Sequence, residues 1–141
     1  RDPRRPAVLY FSGVEIGIGI FGLVSLRLFH GVGAMTLHLP QIATAGVTFL
    51  LLLVPTLLMG ATLPLLVAHL TRIERNVGRT VGVLYCVNTL GSALASFAAV
   101  LLLLPHLGQS GSVRLAAAVN LAVGVGAYWF YSRRGRSEGD R

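Results

Sequence analysis

The 141-residue chain has one cysteine, no lysine and only five acidic residues, and each scarcity excludes something. Cys86 stands alone in an apolar stretch, so there is no disulfide framework, no CxxC metal pair and no sign of a redox compartment. Charged residues make up 12% of the chain against 54% hydrophobic, far from the charge density of an average soluble domain. With a mean hydropathy of +0.73, most of the surface is expected to meet lipid. The chain pairs no nucleophile with a base and has no phosphate loop or soluble carboxylate pair, so it carries no catalytic apparatus and no catalytic residue is assigned. His30, His38, His69 and His106 fall at helix ends or in loops, without the i, i+4 spacing of a metal site, and neither metal nor cofactor is expected. The run Gly17-Ile18-Gly19-Ile20-Phe21-Gly22 fits GxGxxG formally, but no strand precedes it and no acid follows at the required distance, which excludes a dinucleotide site.

What is there in quantity is long apolar sequence. Segments over residues 7–29, 42–70, 81–104 and 113–131 each approach or exceed the roughly 20 residues that cross a hydrocarbon core. They predict an all-α, polytopic membrane protein with four transmembrane helices over residues 1–131, and a charged tail or linker over 132–141. The net charge of +7 does not indicate nucleic acid, because binders of nucleic acid gather their basic residues on one face of a soluble fold. Here ten of the twelve arginines fall before the first span, between the second and third, or after the fourth, while the other two connections carry no basic residue. Arg27 and Arg114 sit at helix ends, where long side chains snorkel. The positive-inside rule then places both termini of this multi-pass membrane protein in the cytoplasm. The first apolar segment is too long for a secretory signal, contains Glu15 and has no cleavage site. The opening at Arg1 suggests a piece of a longer protein.

The second span holds Pro55, Gly60 and Pro64 within a run free of charge from Ala43 to Ala68. Each proline removes a backbone donor, freeing the carbonyls of Leu51 and Gly60, and the pattern predicts a discontinuous helix with Thr56 and Thr62 hydroxyls nearby. In the first span Glu15 lies roughly 12 Å from the start, too deep for an end residue, on a face shared with Gly19 and Gly22. An intramembrane carboxyl is either a functional group or a lock between helices. The third span presents Gly82, Asn88 and Gly91 on a small and polar face, and the fourth carries Asn120 and Gly124. Asn88 and Asn120 are candidates for substrate contact or for interhelical hydrogen bonds; Gly19, Gly82, Gly91 and Gly124 are candidates for close helix packing. Tyr128, Trp129 and Tyr131 form an interfacial aromatic belt.

The string from Pro55 to Leu66, with Val77-Gly78-Arg79, Leu84-Tyr85, Asn88-Thr89-Leu90-Gly91 and Leu104-Pro105-His106-Leu107-Gly108, resembles the membrane region of bacterial spermidine-synthase-like proteins. These are fusions of a major-facilitator-like helical region to a polyamine aminopropyltransferase-like domain. Ala95 and Ala99 stand where that pattern more often has glycine. The resemblance implies a partial major-facilitator-like bundle that is transporter-like and anchors or supplies a polyamine-related soluble domain. No part of this sequence corresponds to that domain, so any aminopropyltransferase activity belongs to the parent protein. The implied partners are the lipid bilayer, further transmembrane helices and the soluble domain, or another protomer, with a polyamine as ligand. A purely structural anchor or assembly module is the alternative, as is a fragment of a membrane-tethered aminopropyltransferase.

Overall fold

The structure, a computed structural model, describes residues 5–74 and 76–137. Arg1, Arg4, Arg75 and Arg141 of the charge pattern lie outside the described residues. Every described element is helical: α1 spans Arg5–Thr36, α2 Gln41–Glu74, α3 Val77–Ala98 and α4 Leu104–Ser137, with a π-helical turn over Ala99–Leu103 between the last two.

α1 runs seven residues past the expected end at Phe29, because His30 to Met35 contains no residue that forces termination. The reversal falls on Leu37–Pro40, where Leu39 N–H donates to the Thr36 carbonyl and the Ala43 N–H to that of Pro40. The Thr44 hydroxyl reaches the Thr36 carbonyl at 3.4 Å and pins α2 against the end of α1. With Leu58 3.5 Å from where a Cβ of Gly17 would sit, α1 and α2 are antiparallel. Asn76 caps α3, its side-chain oxygen accepting from Arg79 N–H at 3.1 Å and satisfying one otherwise orphan donor.

Three helices are long and apolar enough to cross a membrane: Ala7–Thr36, Gln41–Arg72 and Val77–Arg133. The count of four separate helices is thereby corrected. The expected loop from Pro105 to Ser112 is helical on both sides of Gly108, so the third and fourth spans form one run of 57 residues with a break inside it. Gly108 has φ 63° and ψ −177°, a region that glycine alone enters readily. The π turn lies just ahead of Pro105, and Leu104 N–H donates to Ala99 five residues back. Proline cannot donate, and the shifted register absorbs the lost bond before the ladder resumes. The tail expected from Ser132 begins as helix, since α4 continues to Ser137.

α1 occupies the centre, with α2 along one side and α4 along another. Among the described residues α3 meets α2 but packs against neither α1 nor α4. Ala117 is the one buried hydrophobic side chain described, while Leu50, Leu94, Phe97 and many like them are exposed. Apolar exposure on this scale is a liability in water. Against acyl chains it is the normal outer surface of a helical membrane protein.

The predicted discontinuity at Pro55, Gly60 and Pro64 is not where the backbone breaks. α2 is continuous from Gln41 to Glu74 with both prolines inside it. The hydroxyls of Thr56 and Thr62 donate to Leu52 at 2.7 Å and Met59 at 2.8 Å, not to the carbonyls of Leu51 and Gly60 that the prolines would free. Each proline removes a single rung, and neighbouring rungs hold the helix together.

Candidate functional site at the α1–α4 seam

α1 and α4 approach closely because each presents glycine to the other. A Cβ on Gly19 would lie 2.6 Å from Leu121 Cγ, and one on Gly22 would lie 3.0 Å from Ala117 Cβ. On the opposite helix, a Cβ on Gly124 would lie 2.8 Å from Ile16 Cγ1, 3.0 Å from the Ser12 carbonyl oxygen and 3.1 Å from Glu15 Cβ. The contacts pair rising residue numbers on α1 with falling numbers on α4, so the helices are antiparallel. Close backbone approach through small residues is how helices associate where lipid removes any hydrophobic gain from contact.

Of the four glycines expected to pack, Gly19 and Gly124 do so. Nothing lies within 4 Å of a Cβ position at Gly82 or Gly91, which correspondingly pack against no described residue. The reason is the placement of α3, which carries both away from α1 and α4.

Glu15 sits within this seam. It is half-buried, its Cβ faces the Gly124 backbone, and among the described residues no cationic or hydrogen-bonding side chain pairs with its carboxyl. One turn earlier, Ser12 is 2% exposed and its hydroxyl has no hydrogen-bond partner. Ser12 departs from the habit of other hydroxyls in the chain: Ser25 donates to Gly22, Thr36 to Val32 and Thr48 to Thr44, all within their own helices. Sequence reasoning missed Ser12; its i, i+3 spacing from Glu15 was the available signal. Asn120, half-buried one turn from Gly124, lies on the stretch of α4 that borders α1. Asn88 is not brought to this site, because it lies exposed on α3.

Comparison with protein-family models, curated proteins and solved structures finds no match for this chain. The seam stands on its own chemistry.

That chemistry is an acid, an unpaired hydroxyl and an amide on two helices whose backbones nearly touch. A carboxyl there suits a proton, a metal-free cation or an amine far better than an anion. Among the described residues no group of three His, Cys, Asp or Glu side chains is arranged to hold a metal ion. An open cavity of about 680 Å³ lies elsewhere, at the α1–α2 turn, lined by Thr36, Thr44, Thr48, Phe49 and Leu52 among others. It begins 21 residues beyond Glu15 on α1, roughly 30 Å along the helix, and shares no residue with the seam. Its threonine hydroxyls bond backbone carbonyls, which leaves Gln41 as the polar side chain on an otherwise apolar wall.

At the far end of α4 the Arg133 guanidinium stacks on Trp129, 3.8 Å from the ring centroid. This cation–π contact holds Arg133 against Trp129 at the basic end of the helix.

Proposed function

We propose that the chain is a membrane-embedded, transporter-like module in which the α1–α4 seam handles a cationic amine. The observation that carries this reading is Glu15, an unpaired carboxyl within an apolar helix, one turn from the buried, partnerless hydroxyl of Ser12. Leaving both groups unsatisfied in hydrocarbon is costly, and a bound ammonium group relieves both at once. The resemblance to spermidine-synthase-like proteins supplies the ligand class, a polyamine, and the role of anchoring or feeding a soluble domain.

The same reading places the chain in the bacterial inner membrane with both termini cytoplasmic and with four crossings. A run of 57 residues is roughly 86 Å long, nearly three times a hydrocarbon core of about 30 Å, so it does not fit as one crossing. α2 and α4 are both antiparallel to α1 and so run the same way. The chain between them must return across the bilayer, and α3 with the π turn supplies that return. The break at Gly108 is then the outer reversal.

The test is binding of radiolabelled spermidine to the chain in nanodiscs, comparing wild type with Glu15→Gln at matched helicity by circular dichroism. Saturable binding by wild type and its loss in E15Q is the expected result. Equal binding by both removes Glu15 from the site, and no binding by folded wild type favours the second reading. That second reading, a structural anchor or assembly module, draws on the glycine contacts of the seam, which would by themselves explain why Glu15 lies there as a lock between helices.

A further inference from the structure

Topology brings the basic residues of this chain to one end. α2 and α4 both run antiparallel to α1, so the start of α1 and the ends of α2 and α4 lie at the same end, and α3 starts three residues after α2 stops. Arg5, Arg72, Arg79, Arg133, Arg134 and Arg136 therefore share that end. Residues 28–71 and 80–113, which contain the opposite end, hold no arginine or lysine. At the basic end one guanidinium has a fixed place. Arg133 lies over the Trp129 ring, 3.8 Å from its centroid. Both side chains are exposed, Trp129 to 53%. Trp129 is turned roughly 120° from Ala117 and roughly 140° from Gly124, the two residues of α4 that meet glycines or the backbone of α1, so the stack lies on the outer side of α4.

We propose that Trp129 and Arg133 form a binding site for the phosphate of an anionic phospholipid in the leaflet at the basic end. A guanidinium stacked flat on a ring keeps its N–H donors at its edge, where the planar fork meets two phosphate oxygens. The helix end itself does not use up this charge. A C-terminal macrodipole amounts to about half a unit charge, whereas residues 133–141 hold four arginines against two acids. Position and charge complementarity together select a lipid as the occupant. The stack is on the side of α4 that faces the acyl chains, a tryptophan settles at headgroup depth, and the excess positive charge favours an anionic head over a zwitterionic one. The site rests on the bilayer placement of the helices and is independent of amine chemistry at Glu15.

Trp129 is the one tryptophan of the chain, so its fluorescence reports on this site alone. The full chain is placed in phosphatidylcholine nanodiscs that contain, at equal mole fraction, either phosphatidylglycerol or phosphatidylcholine brominated near the glycerol, and the quenching of Trp129 is compared. The anionic lipid is expected to be enriched about fivefold beside Trp129. Arg133→Gln is expected to remove most of that enrichment at matched helicity by circular dichroism. Arg79→Gln, on a helix that packs against neither α1 nor α4, is expected to keep it. Equal quenching by the two lipids overturns the proposal, as does a preference that Arg133→Gln leaves intact. A loss that Arg79→Gln reproduces in full also overturns it, because the attraction then belongs to the basic end as a whole and not to the stacked pair.

Discussion

Replacing Gly124 by valine is expected to destabilise the chain by about 3 kcal/mol, the upper end of what an oversized side chain costs in a filled interface. The added Cβ would lie 3.0 Å from the carbonyl oxygen of Ser12 and 2.8 Å from Ile16 Cγ1. A side-chain end yields by rotating, but a carbonyl on a continuous helix does not, so α4 has to move off α1 as a body. Thermal unfolding in detergent followed by circular dichroism measures the loss. Gly126, two residues away with nothing within 4 Å of its Cβ position, is the internal control: Gly126→Val is expected to leave the transition nearly unchanged. If both variants melt alike, the α1–α4 seam is not what holds the bundle.

The second large effect is expected at Gly108, where alanine would be strained by about 1–3 kcal/mol at φ 63° and ψ −177°. Relief comes by returning to helical angles, which straightens the run between α3 and α4. The bend involves a second glycine: a Cβ on Gly111 would lie 2.8 Å from Leu107 Cβ, so the two sides of the break are pinched together. Straightening redirects α4 and separates its beginning from the end of α1. Spin labels at positions 27 and 114 report this directly, because the pairing of Gly22 with Ala117 sets these two positions near one another across the seam. A longer and broader distance distribution in Gly108→Ala is the expected result, and an unchanged distance would show that Gly108 does not set the direction of α4.

The helical class and the apolar stretches were legible in the sequence because composition and run length reflect the solvent directly. Glu15, Gly19 and Gly124 were legible as candidates for a subtler reason: an acid and small residues inside an apolar helix need protein neighbours wherever they are. Which neighbours they find was not legible. Gly82 and Gly91 read the same as Gly19 in one dimension, and only the position of α3 distinguishes them. Pro55 and Pro64 misled because a proline announces one missing donor, whereas helix continuity depends on the rungs around it. At the true break the sequence around Pro105 and Gly108 read as a plain loop. Neither the shift to five-residue bonding before Pro105 nor the turn confined to a single glycine leaves a compositional mark. Ser12 escaped notice because a serine in a membrane helix usually satisfies itself, and its isolation is visible only from coordinates.

The hydroxyls of Thr48, Thr56, Thr62, Thr71, Ser92 and Ser96 all close onto carbonyls of their own helices. Closed in this way, these groups need no neighbouring helix to shelter them in apolar surroundings. They therefore add little adhesion between helices, which is left to shape at the glycine contacts.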